Sequence, residues 1–84
     1  MSENKKLVLV VEDEPALREV IAFKLAKEGS IEAVAVTTGE DALMFLKDRR
    51  PSLVWLDLLL PGMNGLEVLE KIRADADLKN VPAV

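Results

Sequence analysis

The 84-residue sequence has no cysteine, no histidine and no tyrosine, and aromatic residues make up only 4% of it. Without cysteine there is no disulfide framework, thiolate nucleophile or cysteine-type zinc site, and without histidine the commonest acid–base group at neutral pH is absent too. Any chemistry must therefore run on carboxylates. Basic residues are outnumbered 11 to 15, for a net charge of −4, so the electrostatics favour neither direct contact with nucleic acid nor an anionic membrane. The first apolar run, residues 7–11, is stopped by Glu12. It is too short for a signal peptide or a membrane span, and a cytoplasmic location is expected.

What is present is the balance of a packed globular chain: half the residues are hydrophobic, 31% are charged, and Gly and Pro number 4 each. A chain of this size forms one small domain over residues 1–84 with a thin core, and it excludes a two-domain enzyme. No linker, low-complexity tract or second domain divides it.

The apolar, β-branched run at 7–11 predicts a strand covered on both faces, as in a parallel sheet. It ends in Glu12-Asp13-Glu14, and Pro15 suits the first turn of a helix because it has no N–H to satisfy. Leu17, Val20, Ile21, Lys24 and Leu25 then follow helical spacing to a stop at Gly29. The unit repeats. A strand is predicted over 31–36, then a helix opening at Thr38-Gly39-Glu40-Asp41, carrying Ala42, Leu43, Phe45 and Leu46, and closed by Pro51. A third strand, 53–57, again ends in a carboxylate, Asp57; a loop over 58–64 leads to a helix over about 65–74 with Leu66, Leu69 and Ile72 inward. After a polar connector at 75–80, residues 81–84 read as the beginning of a fourth strand. Strands alternating with helices at this spacing imply βαβ units on a parallel α/β sheet. Trp55 is expected in the core, and Ser52 carries no assigned role.

In an open parallel sheet, ligands bind beyond the carboxyl ends of the strands. Glu12, Asp13 and Asp57 all fall at such ends, and they meet in one crevice if the first and third strands are neighbours. Like charges so placed destabilise one another unless a cation joins them, and oxygen-only ligands favour Mg²⁺. Acidic residues between a strand and a helix also serve as helix caps, so Glu12, Asp13 and Glu14 are open to that plainer reading. Asp57 is not: Pro61-Gly62 separates it from the next helix, its neighbours are apolar, and burying it without a partner is costly.

V-L-V-V-E-D-E-P at 8–15, with L-V-W-L-D-L-L-L-P-G-M-N-G-L-E at 53–67, closely resembles the receiver domain of two-component response regulators over residues 7–84. The resemblance implies a flavodoxin-like sheet of strand order 2-1-3-4, about three and a half βα units long. It implies that Asp57 accepts a phosphoryl group from a sensor histidine kinase. Asp13 would be a direct Mg²⁺ ligand, Glu12 a direct or water-mediated one, and Leu59 a ligand through its backbone carbonyl. Pro61 and Gly65 would shape the loop. Such a domain is a phosphoacceptor and not an enzyme, and an Asp-x-Asp phosphohydrolase is excluded because Leu59 stands at the second Asp position. The family's Ser/Thr at the fourth strand and Lys at the fifth have no counterpart before Val84. Phosphotransfer is accordingly expected to be impaired, and the uncovered sheet edge near 53–84 to favour a homodimer. The alternative is a self-associating half-fold fragment without signalling activity.

Overall fold

A computed structural model describes residues 5–60 and 62–84. The elements follow in the order β1 (Lys6–Val11), α1 (Pro15–Ala26), β2 (Ile31–Val36), α2 (Gly39–Leu46), β3 (Leu53–Leu56) and α3 (Gly65–Ala74). The sheet is all parallel with order β2-β1-β3. β1 lies between the other two strands and its apolar run is covered on both faces: Leu7 through Val11 are all buried.

Alternation along β1 divides the core in two. Leu9 and Val11, with Val54 and Leu56 of β3, face α2 and α3 and pack with Ala42, Leu46, Val68 and Ile72. Val8 and Val10 face the other way, onto Ile21 of α1, with Leu25, Ile31 and Leu53 at the margin. The helices start where their caps are. Glu14 accepts from the Ala16 N–H, Thr38 from that of Asp41, and Asn64 forms a reciprocal capping box with Glu67.

Several expectations need correction. Trp55 is 38% exposed instead of buried in the core. It is the register partner of Val10, hence on the α1 side of the sheet, but α1 lies chiefly over β1 and β2, so on β3 Leu53 reaches the margin of that core and Trp55 does not. For the same reason Leu17 and Val20 are exposed, and only Ile21 of the α1 stripe is fully buried. In α3 Ile72 is buried and Leu69 packs half-buried against the core as expected, joined by Gly65 and Val68, while Leu66 is exposed. The third strand ends at Leu56, one residue before Asp57. Residues 81–84 run beside β3 through a single parallel bridge, Val54 to Ala83, so the fourth position of the expected order is occupied by a bridge and not a full strand. Among the described residues no helix is long and apolar enough to cross a membrane.

Candidate functional site

The crevice is assembled by strand register. Val11 of β1 is paired with Leu56 of β3, so the next residue of each strand, Glu12 and Asp57, emerge side by side. Backbone bonds carry the pairing past the strand ends: the Asp57 N–H donates to the Val11 carbonyl at 3.0 Å and the Glu12 N–H to the Val36 carbonyl at 3.1 Å. Carboxylate oxygens of Glu12, Asp13 and Asp57 thereby come within 4.8 Å of one another. Glu12 is buried, Asp57 half-buried and Asp13 exposed, which grades the site from sheet to solvent.

Each acidic residue of the first loop has a different task. Glu14 caps α1, as the plainer reading allowed, and Glu12 and Asp13 do not. Glu12 accepts from the Glu14 N–H at 3.2 Å. Asp57 is oriented by its own loop, its Oδ1 accepting from the Leu59 N–H at 2.9 Å in an Asx-type turn. The Leu59 side chain is 87% exposed. Behind this turn Gly65 is buried against the backbone of Asp57 and Leu58, and its N–H donates to the Leu58 carbonyl at 3.1 Å. Gly65 thus shapes the loop as expected, and Pro61 lies outside the described residues. Sequence reasoning missed Arg18, whose guanidinium reaches the carbonyls of Glu12 and Asp13. The available signal was a basic residue one helical turn beyond the acidic loop.

Burial raises the Glu12 carboxyl above its ordinary value of 4.5, and the neighbouring Asp57 and Asp13 carboxylates add to the rise against the Glu14 N–H, which opposes it. The folded chain therefore holds this proton more tightly than the unfolded chain. Stability from this group is whole below pH 4.5 and is lost as pH rises through the raised value. Glu12→Gln, which keeps an acceptor for Glu14, should raise the urea midpoint near neutral pH and leave it unchanged at about pH 4. An equal shift at both pH values would contradict this account.

The family model described as response regulator receiver domain matches residues 8–84. The chain is 43% identical over 76 residues to the DNA-binding response regulator MtrA of Mycolicibacterium smegmatis, a match covering 90% of this chain and 33% of that protein. It is 41% identical over 66 residues to the transcriptional regulatory protein AfsQ1 of Streptomyces coelicolor, covering 79% and 29%. It thus spans about a third of the length of these curated relatives. Among solved structures, the phosphorylated cyanobacterial phytochrome response regulator RcpA superposes with a TM-score of 0.87 at 36% identity, over 94% of this chain and 62% of that one. TrrA of Thermotoga maritima, solved in complex with Mg²⁺ and BeF, gives 0.80 at 40% identity over 86% and 62%.

Proposed function

The chain belongs to the response regulator receiver domain family, and from that premise we propose that Asp57 accepts a phosphoryl group from the phosphohistidine of a sensor histidine kinase. Receiver domains are signalling domains and not classical enzymes. One observation carries the reading: three carboxylates from two separate strand ends converge within 4.8 Å. Among the described residues, the one ion pair joins Arg49 to Glu32, so no basic side chain spends itself on this cluster.

The donor set is all oxygen and partly buried, which fits a hard divalent cation such as Mg²⁺. Asp13, Glu12, Asp57 and the backbone carbonyl of Leu59 are the residues that would hold it. When bound, the ion supplies charge neutralisation at the phosphoryl oxygens. The chain's own residues do the rest. The Leu59 N–H engages Asp57 Oδ1 and leaves Oδ2 to attack phosphorus. The new O–P bond forms as the N–P bond to the kinase imidazole breaks, and the imidazole departs with the electron pair. Glu12 forms the buried, inner side of the crevice, where partial exclusion of water makes electrostatic effects larger.

Contact with DNA is no part of this proposal for the 84 residues, whose net charge of −4 opposes phosphate binding. Treatment with a small-molecule phosphoryl donor and Mg²⁺, followed by intact mass and peptide mapping, should place one phosphoryl group on Asp57. Labelling of this chain is expected to be slow. No basic side chain pairs with the cluster among the described residues, and each missing electrostatic donor costs about 3 kcal/mol of transition-state stabilisation. Labelling at another carboxylate would overturn the assignment.

A second reading, self-association of the chain, is favoured by exposed Leu17, Val20 and Phe23 on α1 together with Trp55 on the same side of the sheet. Light scattering at high micromolar concentration should return a dimer mass, and a monomer mass would end it.

A further inference from the structure

The acidic pair stands on a short loop between the end of β1 and the first turn of α1, and its outer member, Asp13, is exposed. Carboxylates this close repel one another. A loop that keeps them converged needs an opposing tie, and Arg18 in the first turn of α1 supplies one. Its Nη1 donates to the Glu12 carbonyl at 3.1 Å and, at longer range, to the Asp13 carbonyl at 3.4 Å. One nitrogen holding two consecutive carbonyls restrains the peptide plane between them, and with it the direction in which both side chains leave the backbone. The side chain is half-buried, so these charge-assisted bonds are partly shielded from competing water.

Equally telling is what Arg18 leaves alone. Among the described residues it forms no ion pair with a carboxylate. It grips the backbone of the loop and leaves the carboxylate oxygens available to a cation. We propose that Arg18 is a positioning residue of the carboxylate site, preorganising Glu12 and Asp13 for a divalent cation without itself touching the cation or the phosphoryl group. The proposal rests on the reading of the crevice as a cation-holding phosphoacceptor site.

Two effects of Arg18 oppose each other, and their signs separate the proposal from its rival. As a positive charge near the crevice, Arg18 repels Mg²⁺, so if charge dominated, removing it would tighten binding. As a tie, it preorganises the ligands, so removing it would weaken binding. The tie should win: groups that orient metal ligands typically contribute 10–100-fold in affinity, whereas a partly solvated charge is screened.

The test is a calorimetric Mg²⁺ titration of the 84-residue chain and of its Arg18→Ala and Arg18→Lys variants, with backbone amide spectra of each apo form. Arg18→Ala should lose on the order of tenfold in Mg²⁺ affinity. Arg18→Lys, which keeps the charge but lacks the planar guanidinium, should recover only part of that loss. In the apo spectra, the amides of Glu12, Asp13 and Glu14 should move while those of β2 and α3 hold, the sign of a local change in an intact fold. Equal or tighter Mg²⁺ binding by Arg18→Ala, or full recovery by Arg18→Lys, overturns the proposal. Should the unsubstituted chain bind no Mg²⁺, the cation reading itself fails. The amide comparison then decides the tie alone, and unmoved loop amides in both variants refute it.

Discussion

A chain carrying Asp57→Asn is expected to take up no phosphoryl group, to bind Mg²⁺ more weakly and yet to fold more stably. The first effect is complete, because an amide nitrogen or oxygen cannot replace the carboxylate as nucleophile at this position. The second follows from removing one of three charged oxygen donors within 4.8 Å of one another, and a loss on the order of tenfold or more in affinity is expected. The third has the opposite sign. Asn is nearly isosteric and its Oδ1 still accepts from the Leu59 N–H, so the Asx-type turn survives. What is lost is repulsion between Asp57 and Glu12, the more costly because Glu12 is buried. Asp57 is half-buried and partly screened, so the gain is set at about 1 kcal/mol in the metal-free chain. Saturating Mg²⁺ should shrink or reverse it, since the ion stabilises the unsubstituted chain more. Paired urea melts with and without Mg²⁺ measure this. Destabilisation of the metal-free chain by Asp57→Asn would show that the carboxylate is held by attraction and that no repulsive cluster exists.

Gly65→Ala is expected to be the most damaging single-methyl addition near the site. An added Cβ would fall on the Asp57 carbonyl oxygen and 2.5 Å from the Leu58 Cα. Both obstacles are backbone, so neither can swing aside as a flexible side chain could. Overpacking of this kind costs roughly 1–3 kcal/mol, while alanine's better helix propensity returns at most about 1 kcal/mol, and less at the first position of a helix. Steric cost wins, for a net loss of about 2 kcal/mol. That is a large share of the total for 84 residues, whose stability is on the order of 4–12 kcal/mol. The strain is delivered to the peptide that presents Asp57, so phosphoryl uptake should fall along with the urea midpoint. Gly29→Ala is the control: it has open space around it and its cost comes only from a φ of 75°, far from the crevice. If Gly65→Ala leaves both the midpoint and the uptake unchanged, the close approach of α3 to the Asp57 loop is not what seats that loop.

The residues that matter most to the site were legible because their signals are local. An apolar β-branched run stopped by a carboxylate marks both a strand end and a candidate ligand, and Glu12, Asp13 and Asp57 all carried that mark. Helix starts were legible for a similar reason: Pro15 has no N–H to satisfy in a first turn, and Thr38 accepts from an N–H within a few residues of itself. The split of duties within Glu12-Asp13-Glu14 was not legible, since all three have the chemistry of a cap and only the direction in which each side chain leaves the loop decides which one caps.

By itself the sequence determined the alternation of strands and helices, the burial of the apolar run of β1 on both faces, and the restriction of the chemistry to carboxylates, because propensity, periodicity and residue type are properties of short segments. Tertiary structure alone decided the rest. Register between β1 and β3 set Glu12 abreast of Asp57, although 45 positions separate them in the chain. The span of α1 left Trp55, Leu17 and Val20 in solvent, and the face that α3 turns to the sheet put Val68 rather than Leu66 in the core. Arg18 became part of the loop only when α1 folded back over the end of β1. These outcomes depend on which surfaces meet and how much area one element covers on another. Such quantities belong to pairs of segments distant in sequence, and no periodicity within either segment contains them.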